Sequence, residues 1–271
     1  MENLRDLIIN GNGSSGGGDF ETVKINGHGK IHGDIKCDYF NLNGHGGVEG
    51  NVYAQKIQMD GSGKIKGNVV SKVIKIDGHT SILGMVDAER LDVDGHATVT
   101  GKVTVKELDI DGWVTIENDT KAEDVRVDGR CKVKGNLSAK EVRVDGMLTV
   151  HGNCETELFK GEGKFDIEGL LSADQIDINI YWNSKSKEIG GQSIIVKRRS
   201  ELLNKLVSAF KNVQLTADLI EGDYVELNST KAKIVRGEDI VIGDNCDIDL
   251  IEYRGTYLEN GSSTVRKAVK I

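Results

Sequence analysis

Six aspartates recur at a fixed interval: Asp60, Asp77, Asp94, Asp111, Asp128 and Asp145. A line of carboxylates facing inward would suit Ca²⁺, a hard cation that takes oxygen ligands. Each of the six is followed by Gly, however, and Asp before Gly is corner chemistry in which the side chain stays hydrated. The Ca²⁺-binding nonapeptide of secreted solenoids is absent. His28 with His45, and His79 with His96, share the interval, but two imidazoles are a thin metal-ligand set. The equivalent position elsewhere holds Ser62, Trp113, Arg130 and Met147. The "GHG" and "GSG" segments lack the Lys-Ser/Thr and helix of a phosphate loop. No nucleophile, base and orienting group stand out together. The reading is a non-enzyme with no metal and no cofactor.

What must position these residues is a repeat. A glycine returns at 27, 44, 61, 78, 95, 112, 129, 146 and 163, always seventeen residues on. A second follows six residues later at 33, 50, 67, 84, 101, 135, 152 and 169, with Asn118 as the exception, a residue that tolerates a left-handed backbone. Counting the first glycine as position 1, position 5 holds Ile31, Val48, Ile65, Ile82, Val99, Ile116, Val133, Val150 and Ile167. Position 14 is likewise apolar, and position 11 is small: Cys37, Ala54, Ser71, Ala88, Val105, Ala122. Positions 3 and 5, 9 and 11, and 14 and 16 alternate with polar neighbours, which is the period of a strand. Three short strands per rung with corners at fixed phase describe a coil, each rung stacked about 4.8 Å from the last. The fold class is therefore all-β, a parallel β-helix with about seventeen residues per rung. Its glycine corners need positive φ or close approach. Position 12 alternates in charge, Lys72, Glu89, Lys106, Glu123, Lys140, Glu157, so stacked rungs would set opposite charges side by side and fix the register.

Composition agrees. The 271 residues hold 34 Gly and no Pro, and a strand that donates every N–H to the next rung has no place for Pro. A net charge of −8 without a basic stripe argues against nucleic acid. Cys37, Cys131 and Cys154 fall in inward columns and read as small buried hydrophobes. No stretch resembles a signal peptide or a membrane-spanning helix, so the expected location is cytoplasmic.

The ends depart from the repeat. Residues 1–18 read as a flexible N-terminal tail, with a linker "NGNGSSGGG" at 10–18. Leu4, Leu7, Ile8 and Ile9 give either a disordered tail or first strand, or a segment that touches a membrane surface or a partner. The regular β-helix spans 19–180. Residues 181–271 read as an irregular continuation or cap, with a separate small β domain as the alternative. "SELLNKLVSAFKN" predicts one short α-helix at about 200–211, with Ser200 as N-cap and Leu202, Leu203, Leu206, Val207 and Phe210 as its apolar stripe.

The rows "GKIKGNVVSKVIKIDG" and "ATVTGKVTVKELDIDG" resemble the bactofilins, the polymer-forming bacterial cytoskeletal proteins. The likeness covers about 19–180, and "AKIVRGEDIVIGDNCDIDLIEY" is similar to the tail of longer Firmicute-type members. The resemblance implies a right-handed, three-sided β-helix and end-to-end homo-polymers formed without nucleotide. It also implies a scaffold for membrane-associated processes. An enzyme on a β-helix, such as a hexapeptide-type acyltransferase, is the alternative, but its six-residue pattern in an eighteen-residue coil is absent. A solenoid end exposes unpaired N–H and C=O groups, and the N-terminal rung with Phe20, Val23 and Ile25 is the expected self-association surface.

Overall fold

Alternating Val and Ile with Thr, Lys and Asp puts one row of side chains inward and one outward, so each apolar column can be buried only by closing the chain into a coil. The computed structural model describes residues 4–198 and 213–271. Every element among these residues is a strand. The helix expected at about 200–211 lies outside the described residues. The chain divides into two units, Met1–Gly135 and Asn136–Ile271.

The first unit begins with β1 (Leu7–Ile9), β2 (Asn12–Asp19), β3 (Thr22–Ile25) and β4 (His28–Leu42). β5 (His45–Val48), β6 (Val52–Met59), β7 (Ser62–Ile65) and β8 (Val69–Ile76) follow. Pairing is parallel, and the register is the sequence period: Val52 pairs with Val69, and Val69 with Val86. Residues 113–127 show the three segments of one rung separately, as Trp113–Ile116, Thr120–Lys121 and Asp124–Val127. In β6, β8, Val86–Val93 and Val103–Ile110 the second and third run on as one eight-residue strand, whose ladder lapses at position 12. Ala88 pairs with Val105 and Arg90 with Glu107, while Glu89 and Lys106 drop out.

The position-5 column is fully interior, from Ile31 at 0% exposure to Val99 at 1%. Burying each such side chain is worth about 1.5–3 kcal/mol. Between rungs the backbone donors are used, as in Glu49 N–H to the Ile31 carbonyl and Lys66 N–H to the Val48 carbonyl, both 2.9 Å. Close approach explains the first glycine column. A Cβ on Gly95 would overlap the carbonyl oxygen of Gly78 one rung earlier, and its φ is not positive. Nor does Asn118 need the left-handed backbone that its place in the second column suggested: among the described residues the non-Gly positive φ values are at Ser229 and Asn245.

Two expectations change in this unit. Where the sequence predicts a flexible linker at 10–18, Asn12–Asp19 form β2, which pairs with β4 from Asn12 on His28 to Asp19 on Lys36. Glycine and serine hid the strand because it carries almost no apolar side chain, and the backbone ladder alone places it. The position-12 charges do not all pair as neighbours. Lys72, Glu89 and Lys106 make no ion pair among the described residues. They sit at the bend where the ladder lapses, so their side chains leave the corner instead of lying along it.

In the second unit the pairing is again parallel: Cys154 pairs with Leu171, Ile176 with Ile194, Ile194 with Val225, Val225 with Ile240, and Ile240 with Tyr257. The seventeen-residue step gives way because rungs gain or lose residues at corners. The step from Ile194 to Val225 carries the extra stretch that includes residues 199–212. Phe159 and Phe165 pack edge to face at 5.2 Å in its interior. It closes on short strands, Tyr257–Glu259, Thr264–Val265 and Ala268–Lys270.

Candidate assembly surfaces

The first rung of the first unit is built by β1 and β2. Leu7 lies over Val23 and Ile9 over Ile25. Of the expected self-association residues Phe20, Val23 and Ile25, the last two are therefore one rung inside, and all three are buried, with 5%, 0% and 0% exposure. The outward edges of β1 and β2 have no strand partner among the described residues. The tail's apolar residues divide by direction. Ile9 is buried and Leu7 half-buried, whereas Leu4 and Ile8 are 47% and 50% exposed. β2 is a glycine-rich edge with one register shift between Gly16 and Gly18. A Cβ at Gly11 or Gly16 would meet nothing, which leaves room for another backbone.

The six aspartates face solvent, which removes the inward arrangement a Ca²⁺ column would need. Lys75 bridges Asp77 and Asp94 at 3.4 and 3.1 Å. Burial first, then the neighbouring Asp94, raises the Asp77 carboxyl, while Lys75 lowers that of Asp94. The column begins as an amide ladder: Asn26 donates to Asn10 and Asn43 donates to Asn26, at 2.8 and 3.1 Å. His28 stacks on His45 at 5.3 Å and His79 on His96 at 5.0 Å, with Trp113 next and the Arg130 guanidinium 4.7 Å over its ring. Among the described residues no three His, Cys, Asp or Glu side chains gather for a metal ion.

Two sets of residues escaped the sequence reading. Glu49 accepts from Lys30 and Lys66 at 2.9 Å each and pairs with His32 at 2.6 Å, tying three rungs together. These three hold its carboxyl down at about 2, Lys30 contributing most. Position 8 forms a second ladder. Asn51 N–H donates to Asp34 Oδ1, Asn68 N–H to Asn51 Oδ1, and Met85 N–H to Asn68 Oδ1, all at 2.8–2.9 Å. The signal was present: Asn or Asp directly follows the second glycine at 34, 51 and 68. Among the described residues no helix is long and apolar enough to cross a membrane.

The family model described as "Bactofilin: Polymer-forming cytoskeletal" matches residues 4–87 and 70–155. "Uncharacterized protein YhbE" of Bacillus subtilis (strain 168) is 42% identical over 106 residues, covering 39% of this chain and 44% of the relative. "Uncharacterized protein YhbF" of the same organism is 42% identical over 86 residues, covering 31% of this chain and 34% of the relative. The match thus spans less than half the length of either relative. No solved structure matches the chain. The family model covers more than half of the sequence, over the rungs whose stacking and open first edge are described above, and the chain belongs to the bactofilin family.

Proposed function

We propose that the chain is a structural scaffold that associates with itself end to end through its β-solenoid edges, without nucleotide. The supporting observation is the first rung, where β1 and β2 offer unpaired N–H and C=O groups beside Leu7 and Ile9. Each added chain would complete those bonds and cover the apolar side chains, so assembly needs no chemical energy source. The polymer-forming description of the family favours this reading over a hexapeptide-type acyltransferase. A junction between like ends would have two-fold symmetry. The last rung of the second unit has shorter strands, a common way of blunting an edge.

Val23 and Ile25 lie under β1 and Phe20 is buried, so substituting them would disrupt the fold itself. The test belongs one rung out. Leu7→Lys, at the half-buried position of β1, sets like charges across the junction and should reduce light scattering in nucleotide-free buffer. Circular dichroism should still show the β-rich fold. Wild-type particle size in that variant would place the contact elsewhere.

A membrane or partner contact rests on exposed Leu4 and Ile8, while Leu7 and Ile9 serve the rung. Leu4→Ser with Ile8→Ser should abolish co-sedimentation with vesicles and leave the melt unchanged. A wild-type chain that never sediments with lipid removes this contact.

A further inference from the structure

A shallow groove of about 490 Å³ runs along the first unit, crossing positions 10, 11 and 12 of four successive rungs and reaching Ala54 and Gln55 of the rung before them. Its floor is small and buried, with Ser71, Ala88, Val105 and Ala122, and one wall is the row Lys72, Glu89, Lys106 and Glu123. All four wall residues are exposed, and the first three make no ion pair among the described residues. Glu123 also has a partner within its own chain.

We propose that this wall is a lateral contact between two copies of the chain, packed antiparallel about a two-fold axis between the Glu89 and Lys106 rungs. The charge order is its own complement when reversed. Lys72 then faces Glu123 of the second copy, and Glu89 faces Lys106, with every pair attractive. Sliding by one rung sets Glu89 against Glu89 and Lys72 against Lys106. A parallel arrangement brings the opposite wall across and sets Glu89 against Asp87. Repulsion thus excludes a shift of one rung and the parallel arrangement, and a shift of two keeps only two of the four attractive pairs, so this register makes the most of them.

Spacing points to the same partner. Rungs repeat every ~4.8 Å, whereas like-facing side chains of an extended peptide repeat every ~6.6 Å and a helical turn rises ~5.4 Å. Another copy of this chain matches the wall over all four rungs. The contact is independent of the solenoid ends and would pair chains, or filaments, side by side.

Zero-length carbodiimide coupling of the full chain followed by peptide mapping tests this. Lys72 and Glu123 lie three rungs apart, about 14 Å along one chain, so a Lys72–Glu123 product must join two copies. Lys66–Glu49, an ion pair within one chain at 2.9 Å, is the internal control. The Lys72–Glu123 product should form in the wild type. It should fall about tenfold or more in Glu89→Lys, where like charges meet, and return in Glu89→Lys with Lys106→Glu. Its absence while Lys66–Glu49 forms, or full yield in Glu89→Lys alone, overturns the proposal.

Discussion

Glu49 shows how single residues tie the rungs. Its carboxyl is depressed to about 2 by hydrogen bonds from Lys30, then Lys66 and His32. A carboxyl depressed in the folded chain contributes stability that is complete above the ordinary value of ~4.3. That contribution is lost as pH falls through the folded value. Glu49→Gln should therefore melt below wild type at neutral pH, and the two melts should converge as pH approaches about 2. A gap that stays constant across that window would mean that the clamp's charge does not matter. The cysteines give a second check. Burial pushes the thiols of Cys37, Cys131 and Cys154 up to about 12, Asp38 adding to the effect at Cys37, and burial also raises Cys246. A thiol reagent at neutral pH should leave all four unmodified in the folded chain and label them after unfolding. Fast labelling of the native chain would contradict the inward assignment.

At the scale of the rung, direction decides cost. Val99 points inward at 1% exposure and Thr98 beside it points out. Val99→Asp puts an unpaired charge in the coil and should cost about 3 kcal/mol or more, whereas Thr98→Asp should be mild. Equal melts for the two would sink the alternation on which the rung rests. This alternation was legible in the sequence because each rung repeats it in phase, so Ile31 through Val133 could be assigned inward from column membership alone. β2 was not legible, since glycine and serine carry no hydrophobic pattern and only the pairing of its backbone with β4 reveals it. The bend at position 12 was hidden as well. A column of alternating charge reads as a neighbour ladder, and the lapse in pairing that separates Glu89 from Lys106 is visible only in three dimensions.

At the scale of the molecule, a coil of parallel rungs buries its apolar columns along its length but cannot finish its own edges. The Leu7–Ile9 rung leaves donors, acceptors and the half-buried Leu7 at the open edge, and another chain could satisfy all three. The sequence pointed to an open edge but placed it at Phe20, Val23 and Ile25, because residues 7–9 precede the first full seventeen-residue row. Leu7 pairs with Val23 at a sixteen-residue step, a slip that a strict period misses. The proposed end-to-end assembly would fix one observable. Rungs within each chain, and across each junction, must stack along the filament axis at the ~4.8 Å spacing of β-strands. Cryo-electron microscopy of the purified chain in nucleotide-free buffer measures this directly. Filaments whose diffraction shows the ~4.8 Å repeat along the filament axis are the expected result; a chain that stays dispersed at every concentration, or filaments with that repeat across their axis, would contradict assembly through the solenoid ends.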